Sequence, residues 1–285
     1  MKKALLRGND LLFGLNPDSA SVFQKPVQFA EYTWLFIAEG TGIYHADFAV
    51  FPVKAPVLVF ATPLQQIFME QQTPVQLTAL QFHGDFYCIE YHKVQVACNG
   101  LLFNNIYLEP CVKLTVAEAR IFQQLLQDLN ADFDPQRPDE TVLRSYLQLL
   151  LAKSSSIKLR ALAEPPVLKE QDELMNRFKD LLEQHFLFLH KPADYAELLA
   201  ITTNSLNKRS KKYFGKTPSE LIQERLILEA KKQLHLTRLS IKEIAYKLQF
   251  NDEFYFSRFF KKFTHVSPQA FRDLTGISVV ADLVA

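Results

Sequence analysis

Two short stretches toward the end of this 285-residue chain hold the side chains with the clearest chemistry. The first is Asn204, Asn207 and Lys208, followed by Lys211 and Lys212. The second is Glu253, Ser257 and Arg258, followed by Lys261 and Lys262. A carboxamide can bond adenine through two hydrogen bonds, Arg or Lys can do the same with guanine, and clustered cations meet phosphates. Helical spacing puts these groups beside an apolar stripe, clearest as Phe256, Phe259, Phe260 and Phe263. One such helix is ordinarily a solvated face over a core, and helical bundles imitate the pattern. Here it occurs twice. Each copy follows a short helix with an internal alanine, in Ala196-Glu197-Leu198-Leu199 and in Ile244-Ala245-Tyr246-Lys247-Leu248, where a close helix crossing needs a small side chain. Two copies joined by one long helix fit a pair of helix-turn-helix units, each with a second helix shaped for the major groove.

Other chemistries find less support. His45, His83 and His92 fall in extended stretches with Asp47 and Glu90 nearby. No H-x-H pair occurs; a two-histidine, one-carboxylate site stays open on spacing alone, and satisfied structural histidines are the plainer reading. There is no G-x-x-x-x-G-K loop and no G-x-S-x-G elbow, and only 8 glycines occur in all. No enzymatic activity, cofactor or metal is therefore expected. Cys88, Cys98 and Cys111 form no C-x-x-C pair and suit reduced thiols better than a disulfide frame.

The elements that must position the basic helices are legible from pattern. Residues 27–38, 42–60, 75–82 and 86–96 are rich in Val, Phe, Tyr, Ile and Thr, with Gly40, Gly42, Pro52 and Pro56 as punctuation. They predict short strands of a sandwich or small barrel. Apolar spacing then predicts helices over 116–129 and 140–153. Ser154-Ser155-Ser156 and Glu164-Pro165-Pro166 read as linker, with the connection between domains set at 161–172. Helices follow over 168–190, 193–199, 204–213, 218–236, 241–248, 252–263 and 268–274. Thr217-Pro218-Ser219-Glu220 and Ser240-Ile241-Lys242-Glu243 carry helix-start signals, and Asn251 and Ser267 are expected caps for the last two helices. The fold class is α+β: a β-rich domain over 1–160 that includes the two helices, then an all-α domain over 173–285.

Charge separates the same two parts. Residues 1–170 carry 14 Lys and Arg against 17 Asp and Glu, whereas residues 171–285 carry 18 against 14. A basic segment beside an acidic one suits a polyanionic partner for the C-terminal part. The first ten residues lack the apolar run of a secretory signal, and no 18-residue apolar stretch occurs. A cytoplasmic protein with no membrane association is expected.

At the basic helices the sequence resembles the AraC/XylS family of bacterial transcription regulators. The resemblance is carried by Lys242-Glu243-Ile244-Ala245, by the run from Phe250 to Lys262, and by Ser267-Pro268 with Phe271-Arg272. Gly215-Lys216-Thr217-Pro218, Arg225-Leu226 and Ala230-Lys231 match the family's turn and linker helix. It covers roughly residues 193–272. The departures are Gln249 and His265, where the family commonly has glycine, and Ser210, where a larger apolar residue is usual. The resemblance implies base contacts from Asn204, Asn207, Lys208, Glu253, Phe254 and Arg258, and phosphate contacts from Lys211, Lys212, Lys261 and Lys262. It implies that the helix over 218–236 spaces the units about one DNA turn apart, roughly 34 Å. More loosely, the N-terminal part resembles the family's cupin-like sensor domains, which implies effector binding in the barrel and dimerisation through the helices over 116–129 and 140–153. Packing of those helices within the monomer is the other reading. The expected function is an effector-responsive DNA-binding regulator, and an activator. Its partners are double-stranded DNA, with RNA polymerase, a small-molecule effector and a second copy as further candidates. The competing reading is a sensor or enzyme barrel whose helical tail binds protein.

Overall fold

The structure is a computed structural model describing residues 3–8, 10–47, 49–87, 101–163 and 172–277. The chain divides into two compact units. The first holds the described residues through 105 and 109–163, and the second holds 106–108 and 172–277.

The first unit contains β1 (Lys3–Arg7), β2 (Asp10–Asn16), β3 (Tyr32–Glu39), β4 (Thr41–Ala46), β5 (Ala49–Lys54), β6 (Val57–Ala61), β7 (Ile67–Gln71), β8 (Gln76–Phe82) and β9 (Cys111–Lys113), then α1 (Val116–Asp132) and α2 (Glu140–Ala163). The strands form two open antiparallel sheets, ordered β1-β2-β8-β3-β6-β9 and β5-β4-β7. The β-rich α+β architecture is as expected; among the described residues the sheets do not close into a barrel. Pro52 sits in β5, an edge strand, where a missing N–H is tolerated.

The larger sheet is apolar on both faces, which explains the unbroken burial of β6. Leu35, Ile37, Val57, Val59, Leu77 and Ala79 share one core with Tyr44, Ala46 and Met69 of the small sheet. Trp34, Phe36, Leu58, Phe60, Leu80 and Phe82 face α1 and α2 through Phe122, Leu126, Leu147 and Leu151. Period-two alternation thus serves two cores at once. Lys3 reaches from β1 to the last turn of α1, donating to the carbonyls of Asn130 and Phe133.

Two expectations need correction here. The run Ser154-Ser155-Ser156 is helix rather than linker, because α2 continues to Ala163. Ser154 and Ser155 are buried there while Ser156 is exposed: the Trp34 indole donates to Ser154 Oγ at 3.4 Å, and that hydroxyl donates to the Leu150 carbonyl at 2.7 Å. Residues 86–87 lie in a turn, and the rest of the strand expected over 86–96 lies outside the described residues.

The second unit holds α3 (Glu173–His185), α4 (Pro192–Leu198), α5 (Thr203–Phe214), α6 (Pro218–Leu236), α7 (Ile241–Lys247), α8 (Glu253–Thr264) and α9 (Pro268–Thr275). Of the helix expected over 168–190, residues 168–171 lie outside the described residues, and at its other end α3 stops early, at His185. α6 is the spine: it packs on α4 and α5 and also on α7, α8 and α9. Residues 106–108 belong to this unit although they lie far upstream. Ile106 is buried in the core of α3 to α6, the Tyr107 ring lies 5.5 Å from that of Phe214, and its hydroxyl donates to Glu183 at 2.8 Å. Lys216 Nζ donates to the Ile106 carbonyl at 3.0 Å.

Candidate nucleic-acid interface

The two helix-turn-helix units are α4 with α5 and α7 with α8. The short first helix of each buries its alanine, Ala196 at 3% exposure and Ala245 at 0%, which lets the second helix cross closely. Both turns use one backbone solution. Ala200 and Gln249 adopt left-handed conformations (φ 55° and 62°), and the next N–H returns to the buried alanine: Ile201 to the Ala196 carbonyl at 3.0 Å, Phe250 to that of Ala245 at 2.9 Å. Gln249 therefore takes on its own the geometry that glycine eases. His265 does the same at the end of α8 (φ 64°), where Gly215 ends α5 (φ 73°).

Capping sets where each recognition helix begins. Thr202 accepts the N–H of Ser205 and starts α5. Asp252 accepts the N–H groups of Phe254 and Tyr255 at 3.1 and 2.9 Å and starts α8, so the cap is Asp252 and not Asn251. A carboxylate bonds two of the free donors where the expected asparagine cap lies one residue too early. Ser267 caps α9 as expected.

The site residues distribute as an exposed face over a buried stripe. On α5, Leu206 and Ser210 are fully buried, while Asn204, Lys208, Lys211 and Lys212 are exposed and Asn207 is half-buried. On α8, Phe256, Phe260 and Thr264 are buried, Arg258, Lys261 and Lys262 are exposed, Glu253 is half-buried, and Phe254 is 66% exposed. Phe259 and Phe263, expected in the buried stripe, are only half-buried, their rings 5.0 Å apart at its margin. Ser210 is no packing defect: its hydroxyl donates to the Lys216 carbonyl at 2.7 Å, closing the turn into α6.

Sequence reading passed over two exposed groups. Arg209 pairs with Asp172 at 3.0 Å, and Tyr255 is 56% exposed at the start of α8 with its ring 5.8 Å from Phe250. Their only sequence signal is membership of the same basic or aromatic runs, so helical register has to decide their face.

The platform beneath is held by charge-assisted bonds. Arg272 donates to the carbonyls of Leu234 at 3.2 Å and Leu239 at 2.7 Å, bonding backbone acceptors where α6 ends. Arg225 lies 3.7 Å over the Phe186 ring and pairs with Glu183 at 2.9 Å. Glu220 and Glu243 accept the N–H groups of Thr217 and Ser240, and these backbone bonds hold both carboxyls below the usual range. α6 has 19 residues, about 28 Å at the helical rise.

The histidines weighed as metal ligands sit apart. His45 stacks on Phe68 at 4.0 Å, with Nε2 at 3.1 Å from Glu70 Oε1 without hydrogen-bond geometry. His83 Nδ1 accepts the N–H of Asp85, and Asp47 accepts that of Gln66. Among the described residues no three His, Cys, Asp or Glu gather as a metal site, and no helix is long and apolar enough to cross a membrane. His92 and Glu90, like Cys88 and Cys98, lie outside the described residues. Cys111 is free and half-buried, its thiol pushed up to about 12 by burial.

Residues 195–273 match the family described as a helix-turn-helix domain. The HTH-type transcriptional activator RhaS of Enterobacter sp. strain 638 is 26% identical over 128 residues, 45% of this chain and 44% of that protein. This chain thus spans less than half the length of that relative. The HTH-type transcriptional activator AarP of Providencia stuartii is 34% identical over 79 residues, 28% of this chain and 58% of that protein. An apo ToxT variant from Vibrio cholerae aligns with 96% of this chain and 96% of its own at 15% identity, with a TM-score of 0.43. The matched span runs from within α4 to α9 and takes in both turns and both second helices, α5 and α8, so this part of the chain is similar to that helix-turn-helix domain family.

Proposed function

We propose that the chain is a sequence-specific, DNA-binding transcription regulator that activates its targets. The observation that carries this reading is the pair of exposed cationic helices, α5 and α8, on one spine helix. Lys211, Lys212, Lys261 and Lys262 hold phosphates, which supplies salt-sensitive affinity. Asn204, Asn207, Lys208, Glu253, Phe254 and Arg258 face base edges, which supplies choice of sequence. α6 spaces the two units for neighbouring major grooves, roughly 34 Å apart. Activation is supported by the names of RhaS and AarP, and makes RNA polymerase a partner.

The first unit senses a small effector and pairs two copies. Leu149, Leu159 and Leu162 stay exposed on α2, with Val116 and Ile121 on α1, which supports a helical face between subunits. The protein works in the cytoplasm and carries no catalytic site. Duplexes selected from a random pool by the full chain should bind with an affinity that falls steeply between 50 and 200 mM salt. Absence of any duplex binding at low salt would favour a helical tail that binds protein.

A further inference from the structure

The recognition helices align at an offset of 50 residues, from cap Thr202 to Asp252 and from end Gly215 to His265. At that offset Lys211 and Lys212 fall on Lys261 and Lys262, so the phosphate-facing cations are repeated. Lys208 falls on Arg258, a cation in both copies. Asn204, however, falls on Phe254. One copy presents a carboxamide on its first turn where the other presents a phenyl ring.

Single exposed apolar side chains are common; what marks Phe254 is its place. It is 66% exposed, and its ring contacts no other ring among the described residues. Its neighbour Tyr255 turns toward Phe250 instead. The first turn of a helix entering the major groove faces base edges, and the apolar group displayed there is the thymine C5 methyl. Arg258 lies four residues on, about 6 Å along the helix, against 3.4 Å per base step, hence roughly two base pairs away.

We propose that Phe254 reads thymine by packing on its C5 methyl, with Arg258 reading a guanine about two base pairs away. The DNA site is then two unlike subsites, with thymine opposite Phe254 where the other subsite has adenine opposite Asn204. This rests on the DNA-binding reading above.

The test uses duplexes selected by the full chain, with each thymine replaced in turn by uracil, which removes only the methyl. One position should lose about fourfold in affinity, the factor that burial of one methyl-sized group supplies. Phe254→Ala should bind the thymine and uracil duplexes equally. Phe254→Asn should shift selection at that position from thymine to adenine and leave the other subsite unchanged. Salt-dependent binding of the selected duplex with every uracil replacement neutral would overturn the thymine assignment while leaving the regulator reading intact. So would a methyl effect that persists in Phe254→Ala. Failure to select any duplex overturns both.

Discussion

Gln249 and Ala200 hold left-handed conformations (φ 62° and 55°) in the two helix-turn-helix turns, and both are exposed. A Cβ in that region costs about 1–2 kcal/mol. Glycine removes this cost but adds unfolded-state entropy of about 0.5–1 kcal/mol. Gln249→Gly should therefore stabilise the second unit by roughly 0.5–1 kcal/mol. For a unit of this size that is a rise of about 2–4 °C in Tm. The chain provides its own control, because its single tryptophan, Trp34, is buried in the first unit. Loss of helix by circular dichroism should move upward while the transition seen by Trp34 fluorescence stays put. Ala200→Gly should add a similar increment, since the two turns lie in separate helix-turn-helix units. Gln249→Ala, which keeps the Cβ, should give no gain. A Gln249→Gly variant no more stable than its parent would refute the assignment of strain to this turn.

Four further outcomes are expected. Arg272→Ala should destabilise the second unit by about 2–4 kcal/mol, because it removes two charge-assisted bonds to the Leu234 and Leu239 carbonyls; chemical denaturation followed by helix content reads this. Ser210→Ala should cost about 1 kcal/mol in the same assay by removing the hydrogen bond that the buried Ser210 hydroxyl donates to the half-buried Lys216 carbonyl. Lys261→Ala should weaken binding across duplex sequences and reduce the slope of log affinity against log salt by about 1; an unaltered slope removes Lys261 from the phosphate contacts. Glu220 and Glu243 are held below the ordinary glutamate value of 4.5 by backbone N–H groups, so their contribution is complete above that pH and is lost as pH falls below it through the lowered folded values. The Glu220→Gln, Glu243→Gln double variant should show a flatter loss of stability in an acid titration.

The all-α unit was legible because its signals are local. Ser240 with Glu243, Thr217 with Pro218 and Glu220, and Ser267 each fix a helix start through bonds spanning three residues, and α6 follows the expected bounds. Where two candidate caps adjoin, at Asn251 and Asp252, only geometry decides between them. The β-rich unit was read less completely. β1 and β2 are leucine-rich with no Val or Ile; pairing of β2 with β8 makes them strands, and that contact is long-range. The serines of α2 look like a loop until the Trp34 indole supplies a buried partner. Nothing local announces that Ile106 and Tyr107 pack among α3, α5 and α6, since what holds them is Lys216 and Glu183.

The two helix-turn-helix copies show which positions physics fixes and which it leaves open. In the turn after each recognition helix a backbone carbonyl needs a donor. In the first copy the carbonyl of Lys216 accepts from Ser210; in the second, that of Val266 accepts from Thr264. The carbonyls correspond at the offset of 50, but the donors do not: Ser210 aligns with Phe260 and Thr264 with Phe214. A comparison residue by residue scores Ser210 as a departure, yet the same bond is made from the neighbouring turn of the helix. Buried requirements can be met from alternative positions because one partner suffices. An exposed first-turn position that faces a base edge has no such freedom, since no other side chain reaches that point. On the proposed DNA-binding reading, a difference between copies at Asn204 and Phe254 therefore has no compensating partner among the described residues, and its consequence is expected in the DNA sequence each helix accepts.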